Sequence, residues 1–128
     1  MNRPVHFEIH ASDPEKLVEF YSQVFGWTLN PYMPGEYWLI DTGGNDGPGI
    51  NGGLAKRRGP APAADAPVSA FVCSLGVTSL DETLAKALGT GATVALPKMA
   101  IPNVGWQAYI KDPDGNILGL HQPDPAAK

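Results

Sequence analysis

The strongest constraint on this chain is that it runs through one pattern twice. Tyr37-Trp38-Leu39-Ile40-Asp41 is followed by a Gly-, Asp- and Asn-rich turn and then Ile50-Asn51-Gly52-Gly53-Leu54. Val104 to Gln122 repeats that order more cleanly. Apolar Trp106 to Ile110 leads into Asp112-Pro113-Asp114-Gly115-Asn116, and Ile117 to His121 returns. Pro113 presets φ, the Asp and Asn side chains bond their own backbone, and Gly115 tolerates positive φ, so this segment reads as a tight hairpin. Superposing Gly53-Leu54 on Gly119-Leu120 gives an offset of 66 residues. A repeat of this length fixes architecture before any single element is assigned.

The upstream elements repeat as well. Val5-His6-Phe7-Glu8-Ile9-His10 alternates with period two, as a half-buried strand does. Val5, Phe7 and Ile9 are expected on the core face, and His6, Glu8 and His10 on the other. Ser12 with Glu15 forms a capping box, and Pro14 sits in the first turn of a helix whose apolar stripe is Leu17, Phe20, Tyr21, Val24 and Phe25. Gly26 ends it. Trp27 to Leu29 is a short strand, Pro31 and Pro34-Gly35 turn the chain, Gly43–Gly49 is a loop, and Ile50–Lys56 is the fourth strand.

Arg57 to Pro67 lacks apolar periodicity and carries several prolines, the signature of a surface linker. Ser69 to Leu75 is then a strand. Its Phe71, Cys73 and Leu75 share a face, with Cys73 expected as a buried small hydrophobe. Ser79 and Glu82 make a second capping box, 67 residues after Ser12. Leu80, Leu84, Ala87 and Leu88 form the helical stripe, closed by Gly89 or Gly91. Ala92 to Leu96 is a strand halted by Pro97, and Lys98 to Asn103 is loop. The order is βαβββ, linker, βαβββ: an α+β domain over residues 1–124. Module one spans about 3–56, the linker 57–67 and module two 68–122, with a tail at 125–128. Each module is too small to cover both faces of its own sheet, so the two are expected to pack together.

Bulk properties exclude several function classes. The net charge of −4 and the single short basic run, Lys56-Arg57-Arg58, argue against nucleic acid as a partner. No apolar run approaches the roughly 20 residues of a membrane span. The lone Cys73 permits no internal disulfide, which suits a cytoplasmic location. No Gly-rich stretch both follows a strand and opens a helix, so phosphate-loop chemistry is not indicated.

These motifs together resemble the vicinal oxygen chelate superfamily of glyoxalases, bleomycin-resistance proteins and extradiol dioxygenases. They are Val5 to Ile9, Asp13-Pro14 with Phe20-Tyr21 and Phe25-Gly26-Trp27, and Asp112 to Asn116. The resemblance covers about residues 3–122. It implies curled mixed sheets around a cavity, frequent homodimers, and often a divalent metal held by the first and last strands of each module. Carried onto this chain, the metal positions are His6, Val72, Gly53 and Gly119. Three of the four lack a ligand, whereas a catalytic site usually needs about three protein ligands and an open position.

His6 and Glu8 are candidate catalytic groups on the non-core face of the first strand, since imidazole and carboxylate exchange protons near neutrality. Hydrogen-bonded structural roles are the alternative for both. His121, near the lost ligand position of Gly119, joins His6 as a candidate metal ligand, against simple solvation at a strand end. Gly53, Gly119 and Val72 would line the floor of a ligand site, or Gly53 and Gly119 would serve tight packing. Trp38, Trp106, Tyr37, Tyr109 and Tyr32 are candidate walls for a planar or apolar ligand, or core residues, with Trp106 the first choice.

The expected function is binding of a small organic molecule. In one version a lyase, isomerase or dioxygenase-related enzyme moves a proton at a degenerate metal site. In the other, a metal-free protein sequesters the molecule without chemistry. A third version is a dimeric scaffold.

Overall fold

Asp13 starts the first helix, one residue later than the capping-box pattern predicts. In the computed structural model, which describes residues 1–44 and 47–128, Asp13 Oδ1 accepts from the Lys16 amide at 3.4 Å. Helix α1 runs Pro14–Phe25 after strand β1 (Arg3–Ala11). The displaced Ser12 hydroxyl instead accepts from Arg57 Nε at 3.1 Å. In the second helix Ser79 caps as predicted, accepting from the Glu82 amide at 3.2 Å. The true caps, Asp13 and Ser79, are 66 residues apart, so the offset read from the last strands also holds at the helix starts.

The chain divides into two compact units, residues 6–71 and residues 1–5 with 72–128. The first unit orders its strands β2 (Thr28–Met33), β3 (Tyr37–Asp41), β4 (Gly52–Lys56) and β1. β1 and β4 are parallel and the other pairs antiparallel. Core residues Phe7, Ile9, Ala11, Trp38, Ile40 and Leu54 face Leu17, Val18 and Tyr21 of α1, with Trp27 and Leu29 at the margin. Tyr21 and Trp27 stack with ring centroids 5.2 Å apart, and Phe71 returns the end of the linker onto Phe7 at 5.7 Å. Residues 57–71 hold no helix or strand.

The second unit repeats the arrangement. β5 (Val72–Gly76), α2 (Leu80–Leu88), β6 (Thr93–Ile101), β7 (Gly105–Lys111) and β8 (Ile117–Pro123) follow in sequence, and the strand order is β5, β8, β7, β6. β5 and β8 are parallel. Val77, Leu80, Ala108, Ile110 and Leu120 form its core. The Asp112–Asn116 turn is as predicted: Asp112 Oδ1 accepts from the amides of Asp114 and Asn116, and Gly115 has φ 86°. The predicted tail is docked, with Ala127 buried and its carbonyl accepting from the Asn103 amide at 2.9 Å.

Several predicted boundaries are corrected. Pro31 and Pro97 were expected to end strands, yet β2 continues to Met33 and β6 to Ile101. Both prolines lie in terminal strands of their order, at register shifts, where a missing N–H costs no ladder bond. β5 begins at Val72 rather than Ser69, and β4 at Gly52 rather than Ile50. Cys73 is exposed, not buried. Val5 is 48% exposed rather than core, and it packs near Gly76. Phe20, Val24 and Phe25, expected in the buried stripe of α1, are exposed, and so is Leu88 of the α2 stripe. Positions 45 and 46 of the predicted Gly43–Gly49 loop lie outside the described residues.

Leu54 and Leu120 are repeat equivalents at the centres of the two cores and are almost fully buried. Leu54→Ala and Leu120→Ala should each cost about 2–5 kcal/mol in urea denaturation. Val68→Ala, at a position 94% exposed, should stay within about 0.5 kcal/mol.

Candidate functional site

Strand alternation separates the two faces of the first unit. Phe7, Ile9 and Ala11 face the helix, which leaves His6, Glu8 and His10 on the opposite face, as predicted. Glu8 lies beside Gly53 on β4, and Gly53 beside Leu39 on β3. Tyr37, two residues from Leu39, shares that face. Its phenol crosses β4 over Gly53 and reaches β1, where its O–H donates to Glu8 Oε2 at 3.2 Å. With that proton committed to the carboxylate, the phenol oxygen accepts from His6 Nε2, 3.1 Å away. His10 Nε2 lies 3.2 Å from Glu8 Oε1 and completes a chain of four groups. The whole chain is partly buried, and the Glu8 side chain is only 15% exposed.

Gly53 makes this chain possible. A methyl at that position would overlap the Tyr37 hydroxyl and ring, with Tyr37 Cε1 2.7 Å from it. Sequence reading placed Gly53 on a ligand-site floor, but in the fold Tyr37 covers it. Tyr37 was read only as a possible ligand wall, and its bonds to Glu8 and His6 were not foreseen. Its signal was available: a tyrosine two residues from the strand partner of an in-strand glycine.

The second unit carries the same crossing with different chemistry. Ser74 lies beside Gly119, and Gly119 beside Tyr109. Gln107, two residues from Tyr109, extends over Gly119, and its Nε2 donates to Ser74 Oγ at 2.9 Å. Its Oε1 lies 3.0 Å from His121 Nδ1. Ser74 and Gln107 are both buried. Glu8 and Ser74 are equivalent at offset 66, whereas Tyr37 and Gln107 are 70 apart. The connections before β7 and after β3 differ in length, so a single sequence offset hides this last correspondence.

The other predicted residues divide. Tyr109 shares the face of Gly119. Val72 is buried on the Ser74 face of β5, as strand alternation requires. Trp38 and Trp106, expected as ligand walls, are on the helix-facing sides. Trp38 is part of the first core, and Trp106 packs against the second. The Trp106 indole N–H donates to Asp124 Oδ2 at 3.0 Å, and Lys98 Nζ sits 4.7 Å from its ring. Among the described residues, open hollows lie elsewhere. One of about 210 Å³ lies among Thr42, Gly43, Gly44, Gly47, Pro48, Gly49 and Asn51. Another, about 350 Å³, is bounded by Leu75, Val77, Leu120, Asn2 and the Glu82–Lys86 side of α2.

The metal implied by the resemblance does not fit these residues. Val72 is aliphatic, and Gly53 and Gly119 offer no side chain. The space a side chain would take is filled by the Tyr37 phenol at one glycine and by Ser74 and Gln107 at the other. Among the described residues no three His, Cys, Asp or Glu side chains are grouped to hold a metal ion.

Burial lowers the pKa of His121 below the ordinary 6.5. The unfolded chain therefore takes up this proton before the folded one, and stability is lost as pH falls through about 6.5. Asp112, held by bonds from Asn116, and Asp124, held by the Trp106 indole, have lowered pKa values. Their contribution is present above about 3.8 and lost as pH falls below it. Denaturant midpoints followed against pH should show two acid steps, and His121→Asn should remove only the upper one. A double-mutant cycle should also show that Gly53→Ala destabilises the wild type more than it does Tyr37→Ala, with a coupling of about 1–3 kcal/mol.

Comparison with known proteins bears on the fold. The bleomycin resistance protein-like N-terminal family profile matches residues 3–43. No curated protein matches. Among solved structures, the Mn(II)-bound glyoxalase from Novosphingobium aromaticivorans superposes with TM-score 0.66 at 18% identity, over 98% of this chain and 40% of that one. Methylmalonyl-CoA epimerase from Mycobacterium tuberculosis gives TM-score 0.66 at 16% identity, over 95% and 88%. A glyoxalase/bleomycin resistance protein/dioxygenase superfamily member from Vibrio splendidus 12B01 gives 0.65 at 17%, over 94% and 97%. The α+β fold is shared with these proteins, and the profile match spans β1 to β3.

Proposed function

We propose that the protein binds a small organic molecule bearing a carbonyl or enediol group against the His6 face of β1, and moves a proton on it without a metal. The hydrogen-bonded chain from His6 through the Tyr37 hydroxyl to Glu8 carries this reading. A phenol held between an imidazole and a carboxylate can give up its proton to Glu8 while it receives one from His6, so a proton taken from one ligand atom can be returned at another. Isomerase or lyase chemistry needs that capacity. The epimerase among the structural relatives is consistent with it, although fold likeness alone does not transfer an activity.

A second reading is sequestration of the ligand with no reaction. It is favoured by Val72, Gly53 and Gly119, which leave His6 as the single coordinating side chain in the family's four ligand positions. In either reading the protein works as a cytoplasmic homodimer that binds neither nucleic acid nor membrane. The negative net charge, the exposed unpaired Cys73 and the exposed Phe20, Val24 and Phe25 support this. Among the described residues no helix is long and apolar enough to cross a membrane.

Hydroxyacetone incubated with the protein in deuterium oxide provides the test, followed by proton NMR. Catalysed exchange at the carbon beside the carbonyl is expected. It should fall by about 10²-fold or more in Glu8→Gln and in Tyr37→Phe. Thermal stabilisation by hydroxyacetone with no exchange would establish sequestration instead.

A further inference from the structure

His121 occupies a prepared position that the proton chain at His6 does not use. Its repeat equivalent, at offset 66, is Ala55, so this imidazole has no counterpart in the first unit. Two glycines clear its surroundings. Gly119 lets Gln107 cross to Ser74, and a methyl on Gly105 would overlap the Gln122 carbonyl and stand 2.9 Å from His121 Cε1. The Gln107 amide has one donor and one acceptor end. Its Nε2 is directed at Ser74 Oγ, which leaves Oε1 toward His121 Nδ1. A carbonyl oxygen can only accept, so Nδ1 carries the proton and Nε2 carries the lone pair. Among the described residues no hydrogen bond is made by His121 Nε2. The His121 residue is half-buried.

We propose that His121 Nε2, with its tautomer set by Gln107 and Ser74, is a binding acceptor for a neutral hydroxyl of the phenol or enol class. Three features favour that class. A neutral imidazole with an oriented lone pair accepts from O–H donors. Burial disfavours the imidazolium form, which would attract anions instead. Tyr109 on the same face offers an aromatic surface beside Gly119. A fixed acceptor rejects an analogue lacking the hydroxyl, because its lone pair is then desolvated and unpaired. Gln107 and Ser74 are positioning residues that act through the tautomer. The proposal stands independently of the His6 chain, since every residue it uses belongs to residues 72–128.

Histidine side-chain nitrogen NMR on the intact protein at neutral pH tests it directly. In the wild type, His121 should show a protonated Nδ1 and a pyridine-like Nε2. Para-fluorophenol should shift the Nε2 resonance, and para-fluoroanisole, which lacks the hydroxyl, should not. Ser74→Ala should leave the ring bound to a less constrained amide and blur the tautomer preference. Gln107→Leu should abolish that preference and weaken para-fluorophenol binding about tenfold or more. A wild-type His121 protonated at Nε2 would overturn the proposal, because the Gln107 amide would then point the other way. Equal responses to the two fluorinated probes would overturn it as well. The wild-type measurements decide the matter even if Gln107→Leu fails to fold.

Discussion

A side chain crosses from one strand to the next but one only where the strand between them carries no side chain. The polar faces of both units depend on that constraint. Gly53 lets Tyr37 reach Glu8, and Gly119 lets Gln107 reach Ser74. In each unit the crossing group starts two residues from the glycine's partner on the antiparallel strand and ends on the glycine's partner on the parallel strand. The βαβββ order produces this geometry twice, because it sets the last strand of each module between the first and the third.

The same crossing produces different chemistry because its three participants differ. In the first unit a phenol bridges an imidazole and a carboxylate, groups that exchange protons. In the second an amide bridges a hydroxyl and an imidazole. An amide does not readily give up protons, so it orients its neighbours instead. One crossing thus joins groups of the kind that exchange protons, and the other fixes the orientation of its neighbours. The glycines that look like deletions of a ligand set are, in the fold, the positions that admit these bridges.

Much of the architecture was legible in the sequence because local chemistry and burial pointed the same way. The alternation of β1 from Phe7 onward, the Asp112–Asn116 turn and the Leu80, Leu84 and Ala87 face of α2 each follow from short-range rules. Misread elements were those where tertiary context overrides a local signal. Pro31 and Pro97 look like terminators, yet a terminal strand tolerates a missing donor. Phe20, Val24 and Phe25 fit a helical stripe, but the core of the first unit reaches only Leu17, Val18 and Tyr21. Trp38 and Trp106 attract attention as aromatic walls, yet their strand parity sends them to the helix side.

By itself the sequence determined the repeat, the order of elements and the face on which His6 and Glu8 stand. These depend on periodicity and on offsets of constant length. Carried onto the sequence, the family resemblance leaves three of four metal positions without a ligand side chain. Only the tertiary structure decided what stands there instead. Tyr37 and Gln107 are separated in sequence from Glu8 and Ser74 by 29 and 33 residues. Strand register brings them together, and register is set by the burial of Leu54, Leu120 and their neighbours across the whole sheet of each unit. A side chain's reach across a glycine is a property of three strands at once, and no local pattern in one of them encodes it.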